Sequence, residues 1–289
     1  MSQSDTDQYR RAVTFQKLHE GPDPFVVPNP WDAGTARVLT GLGFSALATT
    51  GAGLAHGCGL PDGSLTRDDV LDNARSIVAA TTLPVTADLE SGFGDTPEEV
   101  AETIRRAAAA GLVGGSVEDS TGRADDPVRP LEQAVERVAA AVAAARELDF
   151  PFTVTARAEN FFQGRPDLPD TIRRLKAYEE AGADVLYAPA LPDADAIRAV
   201  CSSVGRPVNV LMGSPALPLT VAELGALGVR RISVGSALSR AALGAVVRAA
   251  KEIRDRGTFA FGADAVPYPE ANAMMAPARP AGPESDSAP

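Results

Sequence analysis

Charged side chains stand where several short apolar runs of the sequence end. They are Asp88, Glu90, Glu118, Asp119, Arg157 and Glu159. If these runs are the parallel strands of a barrel, their carboxyl ends meet at the face where barrel enzymes form their active sites. Acidic side chains gathered in so small a space repel one another unless a cation or a proton lies between them. The pattern therefore indicates a site that is built around concentrated negative charge.

The segment 85–94 carries the clearest signal. Side chains alternate along a strand, so we expect Asp88 and Glu90 to face one mouth while Leu89 faces the packing side. Oxygen-only ligands suit Mg2+ or Mn2+, and Glu118 ends the next run. We therefore predict metal ligands at Asp88, Glu90 and Glu118, with Asp88 as the direct ligand. The alternative is that these acids cap the following helix or pair with an arginine.

Further polar or small residues at the run ends are candidates for holding a substrate. Arg157 could donate two parallel hydrogen bonds to a carboxylate or phosphoryl group, although it could instead neutralise Glu118 or Glu159. The small residues after the second run would let backbone N–H groups approach an anion in a nest-like loop. The candidates besides Arg157 are Thr50, Gly51, Ala52 and Asn209.

Eight apolar runs, rich in β-branched residues, alternate with longer helical patterns, as expected of parallel βαβ units. The predicted strands are 25–28, 46–50, 85–88, 115–118, 152–156, 185–188, 208–211 and 231–234. Eight such repeats close most naturally into one (β/α)8 TIM barrel. We assign residues 1–261 to this single domain. The proline-rich segment 262–289 is predicted to be a mobile tail or an arm that docks on a partner subunit.

Helix boundaries are marked by capping and stop residues. Thr96 followed by Pro97 predicts a capped helix start, because threonine caps well and proline fits the first helical position. Glycine after a helical pattern predicts a helix end in the left-handed conformation. The predicted stop residues are Gly43, Gly111, Gly182 and Gly228.

Composition limits the possible partners. The 289 residues include 27 Lys and Arg against 38 Asp and Glu, a net charge of −11, so attraction to nucleic acid or anionic membranes is disfavoured. Neither a long apolar stretch nor an apolar leader is present, which predicts a cytoplasmic location. Two cysteines without a CxxC spacing predict neither a zinc site nor a disulfide framework.

Three short motifs follow one another along the chain, at the ends of the third, fourth and fifth predicted strands. The sequence contains Asp88-Leu-Glu90-Ser-Gly-Phe-Gly94, then Val117-Glu-Asp119, then Ala156-Arg-Ala-Glu159. With Asn29-Pro-Trp-Asp-Ala33 before them and the run 225–235 after them, this order and spacing resembles the isocitrate lyase and phosphoenolpyruvate mutase superfamily. The resemblance covers nearly the whole barrel.

The resemblance implies a (β/α)8 barrel whose last helix is exchanged between subunits, usually of a homotetramer. It also implies Mg2+ bound by Asp88, Glu90 and Glu118, directly or through water, with Asp62 in the same site. A small 2-oxo acid would chelate the metal, with its carboxylate on the loop 50–52 and an anionic group on Arg157. Bonds would be broken or made beside an enolate that the metal stabilises as a Lewis acid. Asp62, Arg157 and Glu118 are thus the expected catalytic residues.

The sequence departs from the family pattern in two places. The usual Asp-x-Asp pair is here Asp88-Leu-Glu90, which lengthens one ligand by a methylene group. The isocitrate and methylisocitrate lyases carry Lys-Lys-Cys-Gly-His in the loop after the position of Glu118, and the phosphonate-forming enzymes use a loop lysine. The segment 119–127 has no Lys, Cys or His, and Arg123 is its candidate cation. The closest resemblance is to the phosphoenolpyruvate phosphonomutase-like branch.

Three functional hypotheses follow. The first is a Mg2+-dependent lyase that cleaves or forms a C–C bond next to the carbonyl of a small 2-oxo or 2-hydroxy acid. The second keeps the site but assigns C–P chemistry, as a phosphonomutase or phosphonopyruvate hydrolase. The third is a catalytically degenerate barrel that serves as a binding protein. Retention of mutually repulsive acids favours the first two over the third.

Overall fold

Eight short parallel strands form the centre of the molecule in a computed structural model that describes residues 3–276. The strands are β1 Phe25–Val27, β2 Leu47–Ala48, β3 Val85–Asp88, β4 Gly114–Glu118, β5 Thr153–Arg157, β6 Val185–Tyr187, β7 Val208–Leu211 and β8 Arg231–Ser233. Each corresponds to one predicted strand, with ends that agree within about two residues. The strand predictions are therefore confirmed.

The strands pair in the order β1-β8-β7-β6-β5-β4-β3-β2, all parallel. The remaining gap between β2 and β1 is bridged by one hydrogen bond, in which the Ala48 amide donates to the Pro28 carbonyl at 3.1 Å. Helices alternate with the strands around this nearly closed ring. The predicted (β/α)8 TIM barrel is confirmed.

The helices begin and end largely where the capping signals predict. They are α1 Gln3–Glu20, α2 Ala33–Gly41, α3 Gly51–Gly57, α4 Arg67–Ala80, α5 Pro97–Ala109, α6 Leu131–Arg146, α7 Leu168–Glu180, α8 Ala194–Ser203, α9 Val221–Ala226, α10 Ala237–Arg256, a 3-10 helix Ala260–Asp264 and α11 Tyr268–Met274. Thr96 caps α5, with Pro97 in its first turn. The four predicted stop glycines all have positive φ.

Helices α1 and α11 were not predicted, and α3 replaces a predicted loop. Helix α1 packs against the barrel through the buried Ala12 and Phe15, which join Val27 in one apolar cluster. Helix α11 lies in the segment that was expected to lack regular structure, and it contacts α2. Residues 277–289 of the predicted tail lie outside the described part of the chain, so the mobile or docking role of that part stays a prediction.

The barrel interior is polar over the strands that carry the site. Outward-facing residues of these strands, such as Val154, Leu186 and Val210, pack in the apolar layer beneath the helices. The alternate positions carry buried polar side chains, where many barrels have layers of branched aliphatic residues. These are Thr86, Ser116, Thr155, Asn209, Arg231 and Ser233.

Helix α10 packs little against its own barrel. Of its 20 residues only Ser239 is buried. Its apolar residues Leu243, Val246, Val247 and Ile253 are 52%, 64%, 43% and 40% exposed. An apolar face of this size in solvent is unusual for an isolated subunit. None of the described helices has the length and hydropathy that crossing a membrane would require.

The close approach of β4 and β5 in the barrel interior generates a stability prediction. A Cβ at Gly114 would lie 2.8 Å from the Thr153 carbonyl oxygen and 3.0 Å from Thr86 Oγ1, so Gly114→Ala should lower the free energy of unfolding by about 1–3 kcal/mol. Gly41→Ala is the control, because a Cβ there meets nothing within 4 Å and alanine favours the helix by up to about 1 kcal/mol. Urea unfolding of both variants tests this; equal stability of the two would contradict the packing.

Candidate active site

Arg157, at the end of β5, lies at the centre of an acidic cluster. Its Nη1 is 2.9 Å from Asp88 Oδ1, its Nη2 is 3.1 Å from Glu118 Oε2, and its Nη2 is 2.9 Å from Glu159 Oε1. The guanidinium also lies over the Tyr187 ring, 5.0 Å from the centroid. The structure therefore brings the acids of three strand ends together, and it does so around an arginine.

Adjacent strands fix these positions. Glu118 and Arg157 are register partners on β4 and β5, and Asp88 ends β3 beside them. The Asp88 carboxylate is held further by the Gly51 amide, 3.3 Å from Oδ2, while the Asp88 amide donates to Thr49 Oγ1 at 3.1 Å. Asp88 is thus oriented by the segment that follows β2 on one side and by Arg157 of β5 on the other.

Glu90 reaches the cluster by a route that strand alternation does not describe. Strand β3 ends at Asp88, and Glu90 lies beyond it with φ of 49°, in the left-handed region that non-glycine residues rarely adopt. Leu89 is fully buried in the core, as predicted. A Cβ on Gly51 would lie 2.8 Å from Glu90 Oε1, so the glycine leaves space for this carboxylate. Strain of this kind often accompanies functional sites.

One guanidinium does not neutralise all of these acids. Burial, together with the charges of Asp88, Glu118 and Asp62, raises the pKa of Glu90 to about 8. Burial also raises the pKa of Glu118, against the lowering effect of Arg157. Burial likewise raises the pKa of Glu159 to about 8 despite its contact with Arg157. The cluster therefore holds more carboxyl groups than its own cation can neutralise, and without another cation it retains protons instead.

The predicted metal ligands do not form a ready-made coordination shell. Within residues 3–276, no three His, Cys, Asp or Glu side chains are arranged to hold a metal ion, and Arg157 pairs with two of the three predicted ligands. The donor chemistry nevertheless fits Mg2+, because every candidate donor is a carboxylate oxygen. Glu90 Oε1 is buried and has no hydrogen-bond partner. An oxygen in that state is suited to accepting a cation.

The predicted nest at 50–52 is instead the start of a helix. Thr50 caps α3, accepting a hydrogen bond from the Gly53 amide, and Gly51 and Ala52 form the first helical turn. Amides of a first turn have no intrahelical partners, so the donor function survives although the predicted loop geometry is wrong. Asp62 lies apart, exposed on the loop after α3, with its Oδ1 accepting from the Gly63 amide.

Asn209 is buried inside the barrel below the cluster. Its Nδ2 donates to Ser233 Oγ at 3.0 Å, and its Oδ1 accepts from Arg231 Nε at 2.9 Å. One amide hydrogen remains available to a ligand. Asn209 lines a cavity of about 60 Å³ that also contacts Asp88 and Arg157, so the structure places it in the same site.

Asp119, although next to Glu118, does not face the mouth. Its Oδ2 accepts hydrogen bonds from Arg174 and from the Tyr178 hydroxyl, and its Oδ1 accepts from the Glu159 amide at 2.8 Å. Asp119 is 3% exposed. The prediction that Asp119 lies at the rim was therefore wrong. Asp119 instead links the backbone at Glu159 to helix α7.

The loop after β4 is a small closed hairpin. Ser120 bridges Val128 in antiparallel fashion, and the Thr121 amide donates to the Pro127 carbonyl at 3.0 Å. Arg123 forms an ion pair with Asp126 at 2.7 Å, with 63% of its side chain exposed. The candidate loop cation is thus paired within its own loop.

Several cavity residues were not predicted as site residues, and Tyr187 and Arg231 are two of them. Tyr187 ends β6, and Arg231 begins β8; both line the cavity with Asp88 and Arg157. The signal that could have indicated Arg231 is the polar–apolar alternation of Arg231-Ile-Ser233, which marks inward-facing positions of a short strand. Tyr187, after Val185 and Leu186, has no such signal.

The sequence model of the phosphoenolpyruvate phosphomutase family matches residues 15–254. The chain belongs to this family, within the isocitrate lyase and phosphoenolpyruvate mutase superfamily, as the motifs predicted.

Known proteins of the superfamily share both sequence and fold with the chain. A provisionally assigned lyase/mutase of Burkholderia cenocepacia J2315 has a crystal structure at 59% identity and TM-score 0.92, covering 94% of this chain and 97% of that one. The 2-methylisocitrate lyase of Escherichia coli K12 is 31% identical over 69% of this chain and 67% of its own. A phosphonopyruvate hydrolase, solved with oxalate and Mg2+, is 27% identical with TM-score 0.82, covering 92% and 94%.

The surplus charge predicts a pH dependence. Since the pKa of Glu90 is raised to about 8 from an ordinary value of 4.5, the folded state retains a proton there that the unfolded chain releases. Stability in metal-free buffer should therefore fall as pH rises across that range. The amide introduced by Glu90→Gln cannot ionise, so the Tm of Glu90→Gln minus that of the parent should increase as pH rises from about 5 to about 8.5.

Glu136→Gln is the control, because it removes an exposed carboxylate from the middle of α6. Its Tm difference from the parent should stay nearly constant over the same pH range. If the Tm difference between Glu90→Gln and the parent is also independent of pH, the pKa of Glu90 is not raised in the folded state.

Proposed function

We propose that the protein is a Mg2+-dependent lyase that cleaves or forms a C–C bond next to the carbonyl of a small 2-oxo or 2-hydroxy carboxylic acid. The observation that carries the proposal is the excess of buried carboxylates over cations around Arg157. Lyases among the relatives, such as 2-methylisocitrate lyase, support the reaction class. Mg2+ and oxalate in the phosphonopyruvate hydrolase structure support the cofactor and a carboxylate ligand.

Asp88, Glu90 and Glu118 are the residues that would hold the metal. Asp88 is the proposed direct ligand, since it ends its strand and its carboxylate is fixed by Gly51 and Arg157. Glu90 and Glu118 would orient metal-bound water molecules, as outer acids do around Mg2+. When bound, the metal supplies Lewis-acid polarisation of a carbonyl oxygen. Mn2+ would satisfy the same oxygen donors.

The chain's own groups bind and orient the acid. In the first turn of α3 the Gly51 amide already donates to Asp88 and the Gly53 amide to Thr50, so the Ala52 amide would receive one carboxylate. The remaining amide hydrogen of Asn209 would donate from the cavity floor. Arg157 keeps Glu118 and Asp88 in place and, once a metal shares their charge, has donors available for an anionic substrate group. Asp62 belongs to the site through its electrostatic effect on Glu90, and its exposed loop allows proton exchange with water.

Space for the rest of the substrate lies beside this cluster. A cavity of about 520 Å³ covers the ends of β6–β8, lined mainly by apolar residues such as Leu191 and Leu217, with Arg240 at one side. Leu211 and Val234 of this lining lie close in the chain to Asn209 and Ser233, which line the smaller cavity. A short acid with an apolar substituent would fit this arrangement.

The activity test is a screen with Mg2+ and metal-free controls. We expect C–C cleavage of at least one of three acids: 2-methylisocitrate or 2,3-dimethylmalate by a retro-aldol step, or oxaloacetate by addition of water to give oxalate and acetate. Asp88→Asn should retain the fold but lose both activity and calorimetric Mg2+ binding, because it removes the ligand charge without changing shape. Glu90→Gln should weaken Mg2+ binding by only about 10- to 100-fold.

Alternative outcomes have distinct signatures. Loss of the phosphonate signal of phosphonopyruvate in phosphorus NMR, without C–C cleavage, would replace the lyase by C–P chemistry. Failure of the intact protein to bind Mg2+ or Mn2+ would favour the binding-protein hypothesis. Unchanged Mg2+ affinity in Asp88→Asn would mean that the metal site is misplaced.

We also propose that α10 packs on a neighbouring subunit in a homo-oligomer, a dimer or tetramer. Its apolar residues lack a cover within the described chain, and a partner barrel would supply one. A cytoplasmic location and the absence of nucleic-acid or membrane partners remain predictions from charge and composition.

The oligomer proposal predicts the effect of a charge on this face. Val246→Glu should lower the mass in solution measured by light scattering, because it buries a carboxylate in the contact. Leu42→Glu is the matched control: Leu42 is 66% exposed and lies outside α10. A monomeric parent protein, or equal masses for both variants, would contradict the exchange of α10.

A further inference from the structure

Arg231 is a buried guanidinium that no carboxylate neutralises. The residue is 4% exposed. Its Nε donates to Asn209 Oδ1 at 2.9 Å and its Nη2 donates to Thr155 Oγ1 at 3.0 Å. Its Nη1 is buried and has no hydrogen-bond partner. Both groups that it contacts are neutral, in contrast to the three acids around Arg157.

The other polar groups nearby do not supply a negative charge either. Burial raises the pKa of Tyr187 to about 12, so its phenol stays protonated. Burial, together with the charge of Arg231, lowers the pKa of His19 to about 3, so the imidazole is neutral. Burial lowers the pKa of Arg231 itself only to about 10. The guanidinium therefore remains cationic at neutral pH.

An isolated charge inside a protein is costly, and buried charges are normally paired. The acids of the mouth do not pair with Arg231: among the described residues, none forms an ion pair with it, and Tyr187, a neutral phenol, is the one titratable group that raises its pKa. A missing counter-charge is the simplest explanation for an arginine with a free donor in this position.

Space for a counter-charge exists. Arg231 lines the cavity of about 60 Å³ together with Asn209, Ser233, Asp88 and Arg157. This volume corresponds to about two water molecules at ~30 Å³ each, or to one small anion. Arg157 already donates to three carboxylates, so Arg231 is the cavity-lining guanidinium that retains an unused donor.

We propose that this cavity is an anion site, in which Arg231 binds a group the size of a carboxylate or a halide inside the barrel. Asn209 and Ser233 are positioned to add neutral hydrogen bonds to the same group. The ligand comes either from solution, as a free small anion, or from the substrate, as one of its carboxylates. Only the second source rests on the proposed lyase function; anion binding as such does not need the metal.

Bromide is the probe for the site. In EDTA, the Tm of the parent protein should rise saturably by roughly 2–4 °C with bromide, relative to gluconate at equal ionic strength. Arg231→Met should lose this rise. Arg230→Met should keep it, because that variant removes the same charge from a neighbouring residue that does not line the cavity.

Crystals of the parent protein in bromide give a readout that does not depend on any variant folding. We expect an anomalous peak in contact with the Arg231 guanidinium. Absence of that peak, or a Tm rise that Arg231→Met retains, would overturn the anion site. Neither result would bear on Mg2+ binding or turnover, so failure here is distinguishable from failure of the lyase proposal.

Adding oxalate and Mg2+ to the bromide crystals then distinguishes the two sources. Loss of the bromide peak, with oxalate density at Arg231, would identify the site as a receptor for a substrate carboxylate. A bromide peak that persists while oxalate binds elsewhere would identify a resident inorganic anion. Both outcomes support the anion site and differ only in its ligand.

Discussion

The structure depends on a charge imbalance at the barrel mouth. One guanidinium, that of Arg157, contacts three carboxylates at 2.9 to 3.1 Å, and Glu90 adds a fourth acid whose pKa burial raises to about 8. Removing water from buried charged groups costs far more free energy than forming an ion pair at the surface does. A fold that keeps this arrangement needs further positive charge, which bound protons supply in the metal-free protein. A metal that replaces them is the physical basis for assigning Mg2+ to the site.

The scaffold fixes the cluster through backbone positions. Register places Glu118 opposite Arg157. The left-handed backbone of Glu90 turns its own side chain inward, and Gly51 leaves room for that carboxylate. The buried Asp119 anchors the Glu159 amide from behind. The result is a set of side chains held on strand ends and not on mobile loops, which is the arrangement that precise sites require. The polar barrel interior extends the same hydrogen-bonded framework below the mouth.

Much of this was predictable because local pattern dictates it. The strand and helix-boundary signals are local. Short β-branched runs located all eight strands, while Thr96 with Pro97 and the stop glycines located helix ends. Long-range pairing is not local: nothing in the sequence near Asp119 indicates that Arg174 and Tyr178 will bind it, and nothing near Glu90 indicates a positive φ. Short strands also show little alternation, so the three residues Arg231-Ile-Ser233 gave only a weak sign that Arg231 faces inward, and its neighbours in space identify it.

The proton balance of metal binding tests the central claim most directly. At pH 7 a Glu90 carboxyl with a pKa of about 8 is mostly protonated, so Mg2+ entering the cluster should displace close to one proton. Calorimetric titration with Mg2+ in buffers of different ionisation enthalpy measures this number. The account predicts release of about one proton by the parent protein and almost none by Glu90→Gln. Mg2+ binding without proton release, or equal release from both proteins, would contradict it.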